Sequence, residues 1–275
     1  MSIAKAPHFA IERGLDIGCE SIQIFVKSNR RWDAKELEAE KIEKFKDIRK
    51  KHNINPIFAH NTYLVNLAST NEETLRKSLN CFLYEIRTAE ALELEYIVMH
   101  PGSHMGAGEE NGIKMIGENV RKLLLETEGY KIKILLETMA GQGTNLGYKF
   151  EQLKQMMDII DYPDRVGICF DTCHAFAAGY DFRNEKAYEG MLDEFNSIIG
   201  LENLMVIHLN DSAGDLGSRS DRHEHIGKGK IGLNGFRNFL NDKRFKKIPG
   251  ILETPKDKEM KMDIENLNIL KSLRR

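Results

Sequence analysis

Residues 206–226 read VIHLNDSAGDLGSRSDRHEHI: an apolar run stops at His208 and spills into a loop holding an Asp-Arg-His-Glu-His string. A nearly continuous apolar run bounded by polar turn residues has the character of a strand buried on both faces. Comparable runs occur at SIQIFV (21–26), INPIFAH (54–60), YIVMHP (96–101), KILLET (133–138), VGICFDT (166–172) and GILETP (250–255), with LMVIHLND (204–211) making seven. Between them lie amphipathic segments, the clearest carrying Leu75, Leu79, Phe82, Ile86, Ala89 and Leu92 at helical steps of three and four. No linker or low-complexity tract interrupts the series, so one domain over residues 1–275 is expected, with a parallel sheet either doubly wound or closed into a barrel.

The polar residues at the strand ends decide between these. His60, His100, Glu137, Asp171, His208 and Glu253 each fall at the C-terminal end of a different run, one strand–helix unit apart. A doubly wound sheet gathers its functional residues at a switch point on a few strands, whereas a barrel brings every C-terminal strand end to one mouth. Six strands with one ligand-type side chain each favour the barrel.

Composition sets the outer bounds. The chain of 275 residues suits one α/β barrel, which typically takes about 250. It is 41% hydrophobic and 30% charged, without any run near the ~20 apolar residues of a membrane span. The N-terminal MSIAKAPHFAIERG lacks a secretory signal, and Cys19, Cys81, Cys169 and Cys173 form no CxxC pair, so reduced thiols in a cytoplasmic protein are expected. A formal charge of −2 argues neither for nor against nucleic acid.

The loop after His208 adds Asp221 and His223, and FDTCHAF adds His174 three residues after Asp171. Imidazole and carboxylate without thiolate suit zinc or another borderline divalent ion. Nine candidate ligands exceed one tetrahedral site, so two or three ions are expected, a nuclearity suited to displacement at phosphorus. Pro101 and Gly102 keep His100 and His104 off a shared helical face, which leaves His104 as a supporting or solvent-facing residue. His8 and His52 read as surface residues and Cys173 as a small buried one.

The strings HNTYLVNLAS, HPGSH, LLETMAGQGTNLG, VGICFDTCHAFAAGYDF, IHLNDS, GSRSDRHEHIGKG and ILETP together closely resemble the signature segments of endonuclease IV, the zinc-dependent apurinic/apyrimidinic endonuclease family. The resemblance runs from about Ser2 to the last helix. It implies a TIM (β/α)8-type barrel with three zinc ions that cleaves the phosphodiester 5′ to an abasic site in duplex DNA, leaving a 3′-hydroxyl and a 5′-deoxyribose phosphate. It implies one zinc on His60, His100 and Glu137, a second on Glu137, Asp171, His208 and Glu253, and a third on His174, Asp221 and His223. Glu137 would then bridge two ions and serve as the central catalytic residue. By the same resemblance Arg30, Tyr63 and Leu64 would enter the duplex near the lesion and help to extrude the poorly stacked abasic nucleotide. Three Zn²⁺ would turn the formal −2 into +4, concentrated where a phosphate backbone would bind. A monomer is expected.

Two alternatives stand beside this reading. A sugar isomerase or epimerase of the xylose-isomerase-like barrels also uses strand-end His, Glu and Asp, but leaves His174, Asp221 and His223 without work. A non-catalytic lesion binder would be expected to have lost ligands, and none is missing. One departure accompanies the resemblance: family members begin with a short strand ending in a Gly-Ala-His-Val-Ser type sequence, and this chain starts at the position matching that valine. The first barrel strand is therefore expected to be absent, through a truncated start, with lower stability than a form extended by roughly seven residues.

Overall fold

The computed structural model describes every residue from Met1 to Arg275. In chain order the strands are β1 (Ile22–Ile24), β2 (Ile57–His60), β3 (Tyr96–Met99), β4 (Lys133–Glu137), β5 (Val166–Asp171), β6 (Leu204–His208), β7 (Asp211–Ser212), β8 (His223–Glu224) and β9 (Gly250–Ile251). The helices are α1 (His8–Asp16), α2 (Ala39–Lys51), α3 (Glu72–Ala91), α4 (Glu109–Glu126), α5 (Phe150–Ile160), α6 (Thr172–Ala178), α7 (Glu185–Ile198), α8 (Gly232–Asn241) and α9 (Lys261–Leu273). Each of the seven apolar runs contains a strand, and none precedes α1. The sheet order is β1-β2-β3-β4-β5-β6-β9, with β7 and β8 forming a separate two-stranded ladder. A doubly wound sheet reverses its order at a switch point; here neighbours follow chain order throughout, as in a barrel wall. No helix is long and apolar enough to cross a membrane.

By its contacts the chain divides into two compact units, residues 1–136 with 155–167, and residues 137–154 with 168–275. In the first, β1 to β4 run parallel in simple register: Ile24 opposite Ala59, His60 opposite Val98, and Met99 opposite Leu136. Every residue of β2 is buried, which explains why the run shows no alternation. Helix α3 starts at Asn71, whose side chain accepts a hydrogen bond from the Thr74 amide at 2.9 Å, and Glu72 and Glu73 follow at the positive end of its dipole. Its buried face is the expected one at Phe82, Ile86 and Ala89, but Leu75 and Leu79 are only half-buried and line a shallow groove with Leu123. Gly117 lets α4 approach the Ile159 side chain, since a Cβ there would lie 2.6 Å from Ile159 Cγ2.

One expectation fails in this unit. His8 is not a surface residue: it is 4% exposed, at the start of α1, with its ring centroid 4.2 Å from that of Phe9. Burial holds its imidazole below the ordinary value, aided by Lys44. His52 is exposed as expected.

The second unit is built on aromatic packing. The Phe170 ring on β5 meets Phe239 of α8 at 5.5 Å, and Phe150 of α5 meets Phe195 of α7 edge-on at 5.1 Å. Phe150, Phe170, Phe176, Phe182, Phe195 and Phe236 are all essentially buried, each contributing about 1.5–3 kcal/mol relative to exposure. Through Phe170 this core packs against β5, the strand that ends on Asp171.

Candidate metal centre

Strands β4, β5 and β6 end on Glu137, Asp171 and His208, each 0% exposed. Asp171 closes β5 and also caps α6, accepting the His174 amide hydrogen bond at 2.8 Å, so the strand-to-helix turn places the His174 ring beside it. Around His208 Nδ1 lie Glu253 Oε2 at 3.1 Å, Glu137 Oε1 at 3.2 Å and Asp171 Oδ2 at 3.6 Å. A second group forms a closed triangle. His174 Nε2 is 3.3 Å from His223 Nε2 and 3.1 Å from Asp221 Oδ1, and His223 Nε2 is 3.6 Å from the same oxygen. Ligands bonded at about 2.0–2.1 Å to a tetrahedral ion stand about 3.3–3.4 Å apart. Both groups have that spacing.

Hydrogen bonding assigns the lone pairs. His174 Nδ1 lies 2.9 Å from the Thr138 carbonyl and His223 Nδ1 lies 3.1 Å from the Glu253 carbonyl, so both Nδ1 atoms donate and both Nε2 atoms present a lone pair. Two imidazole lone pairs and the Asp221 carboxylate thus face one point, which only a cation satisfies. Asp171 also borders this triangle, with Oδ2 at 3.8 Å from His223 Nε2. Asp221, closer to both nitrogens, is the better third ligand.

The charges agree. Burial pulls the His174 imidazole down, but Asp171, Asp221 and Glu137 outweigh it and hold the ring well above its ordinary value. Burial likewise opposes protonation of His208, while the Glu253 and Glu137 carboxylates hold its ring well above the ordinary value. The thiols of Cys169 and Cys173, buried as expected of small core residues, are each pushed up to about 12 by that burial and remain neutral.

Residues that the sequence did not single out brace these ligands. Asn210 donates from Nδ2 to Asp171 Oδ2 at 2.6 Å and accepts the Glu253 amide on Oδ1 at 2.7 Å, so one side chain fixes two carboxylate residues. The Asp211 carboxylate accepts amides from Ser212, Gly227, Gly229 and Ile231, drawing the loop after β8 back to the end of β6. Gly229 is required there, because a Cβ would fall 2.4 Å from the Ser212 carbonyl oxygen. Pairing of Ser212 with His223 in the β7–β8 ladder then sets the position of His223. The available signal was the polar pair Asn210-Asp211, separated from a strand-end histidine by Leu209 alone.

The remaining expected residues lie in the first unit. His60 and His100 are adjacent, with ring centroids 5.1 Å apart, and His60 Nδ1 is 2.7 Å from the Asn61 carbonyl, leaving Nε2 as the atom that could reach an ion. Tyr63 packs on both rings, at 5.5 Å from His60 and 5.4 Å from His100, yet is 56% exposed. Arg30 is exposed and Leu64 half-buried. His104 is not a ligand candidate by geometry: its Nδ1 accepts the Gly106 and Gly108 amides and ties its own loop.

Comparison with known proteins adds relationship to geometry. The family model described as a xylose isomerase-like TIM barrel matches residues 11–274. A probable endonuclease 4 of Chloroflexus aggregans is 44% identical over 273 residues, spanning 99% of this chain and 96% of its own length. Its counterpart from Geotalea daltonii is 48% identical over the same shares. Among solved structures, endonuclease IV from Thermus thermophilus superimposes with a TM-score of 0.87 at 36% identity, covering 99% of this chain and 96% of that one. The fold is a TIM barrel type with seven parallel strands.

Proposed function

Because the chain belongs to the endonuclease IV family within the xylose isomerase-like TIM barrels, we propose that it hydrolyses the phosphodiester 5′ to abasic sites in duplex DNA, using three zinc ions. The observation that carries the reading is the convergence of His174 Nε2, His223 Nε2 and Asp221 Oδ1 on one point. A sugar epimerase has no use for this third donor group, and the relatives at 44–48% identity are named as endonucleases.

Following the ligand pattern of the family, His60, His100 and Glu137 hold one ion, Glu137, Asp171, His208 and Glu253 a second, and His174, Asp221 and His223 a third. Bound there, divalent ions supply an activated water and stabilise charge on the departing 3′ oxygen. Glu137 would belong to both of the first two ligand sets. Thr138 and Glu253 fix the tautomers of His174 and His223 through their carbonyls, and Asn210 keeps Asp171 and Glu253 in place. Arg30, Tyr63 and Leu64 enter the duplex at the lesion. No side-chain nucleophile is needed. The protein acts as a cytoplasmic monomer.

A labelled duplex with one tetrahydrofuran abasic analogue tests the reading, with free ketohexoses as the competing substrates. A nick leaving a 3′-hydroxyl that a polymerase extends, with about three zinc equivalents by elemental analysis, supports it. An intact duplex together with sugar epimerisation overturns it.

A further inference from the structure

Helix α3 reaches into both loops assigned to lesion recognition, and it does so through a buried carboxylate that the metal centre does not use. Glu85 is 0% exposed; its Oε1 accepts the Thr62 amide at 3.0 Å, and its Oε2 has no hydrogen-bond partner. Burial pushes this carboxyl up to about 7, against the pull of Lys27, the Thr62 amide and His60. Lys27 is itself 6% exposed and donates to the Ser28 carbonyl at 3.1 Å and to the Arg31 carbonyl, on either side of Arg30. Thr62 Oγ1 donates to the Asn29 carbonyl at 2.8 Å, joining the Tyr63 loop to the Arg30 loop directly. Two further bonds from α3 grip the same loops: Tyr84 donates to the Lys35 carbonyl at 2.7 Å, and Ser78 Oγ accepts the Asn66 amide at 3.0 Å.

An apolar side chain at position 85 would fill the core without the cost of burying a carboxylate that makes one hydrogen bond. What Glu85 adds is position. It holds the Thr62 main chain beside Tyr63, and Thr62 in turn ties that loop to Asn29, while Lys27 separately gathers the carbonyls on either side of Arg30.

We propose that Glu85, acting through Thr62, is a buried clamp that sets the spacing of the Arg30 and Tyr63 loops, making Glu85 a positioning residue for lesion recognition. The clamp itself rests on these bonds alone; its role in recognition rests on the reading of Arg30 and Tyr63 given above.

The test uses the full, zinc-loaded chain with Glu85→Ala, Glu85→Gln and Thr62→Val, and with Arg30→Ala and Tyr63→Ala as controls. Glu85→Ala should accelerate amide exchange at residues 28–31 and 62–66 and raise the KM and Kd for abasic duplex about tenfold. Its kcat, zinc content and affinity for undamaged duplex should stay unchanged. Glu85→Gln keeps a side-chain oxygen that can accept the Thr62 amide, so it should stay nearer to wild type than Glu85→Ala does. Thr62→Val, which keeps the side-chain shape, decides the matter if Glu85→Ala fails to fold, and should also raise KM. Unchanged amide exchange in Glu85→Ala and Thr62→Val overturns the clamp. Faster exchange together with normal lesion affinity in Arg30→Ala and Tyr63→Ala overturns the recognition reading alone. Faster exchange with lesion affinity lost only in those controls overturns the positioning role of Glu85.

Discussion

His174 and His223 present their Nε2 lone pairs to each other across 3.3 Å, each ring held in that tautomer by a main-chain carbonyl behind it. Such an arrangement is repulsive without a cation between the rings. The first prediction concerns ion removal. Chelation should lower the melting temperature by about 10 °C, the effect of losing a ligand that had saturated a native-state site. Differential scanning calorimetry of zinc-loaded and stripped protein measures it. Equal midpoints, with elemental analysis confirming the loss of metal, would show that the donor groups are not cation sites.

Glu137→Gln changes little in volume but removes the charge that two ions would share. The expected result is a loss of about a hundredfold or more in cleavage of abasic duplex, with the circular dichroism spectrum unchanged. Near-normal cleavage would remove Glu137 from the bridging role.

Asn210 is fully buried and belongs to none of the proposed ligand sets, yet it holds Asp171 and Glu253 together. Asn210→Ala should weaken metal retention by about 10–100-fold, read by competition with a chromogenic chelator. Retention equal to wild type would mean that the strand ends alone set the ligand geometry.

Glu85 supplies a pH signature. Its folded value of about 7 stands above the unfolded one, so the folded protein binds the proton more tightly. The contribution to stability is complete below the unfolded value and is lost as pH rises through about 7. Wild-type protein should therefore lose up to about 3 kcal/mol between about pH 4.5 and about pH 8 from this group, and Glu85→Gln should lack that component. Urea denaturation at several pH values compares the two slopes. Parallel profiles would contradict the shift.

The strand ends were legible because the barrel gives each strand one polar terminal residue after an apolar run, and His60, Glu137, Asp171 and His208 end their strands in that way. His223 was legible as a candidate but its route was not. It depends on the two-residue β7–β8 ladder and on four amides meeting Asp211, contacts of up to 20 residues in separation that no local pattern encodes. His8 misled for a related reason, since its polar neighbours in sequence say nothing of what covers its ring. Glu85 was hidden within a helical pattern whose apolar members drew attention to the face rather than to the carboxylate on it.

The strand-end position of Asp171 bears on how quickly the centre fills. Its two oxygens are already engaged by the His174 amide and the Asn210 side chain, and its amide donates to Thr138 Oγ1 at 2.8 Å. Asp171 is thus held by the protein's own hydrogen bonds, unlike a zinc-finger ligand, whose chain must fold around its metal. Loading becomes a matter of encounter and dehydration, without a conformational search. A stripped enzyme should then recover activity on mixing with zinc in a single phase whose rate rises in proportion to ion concentration.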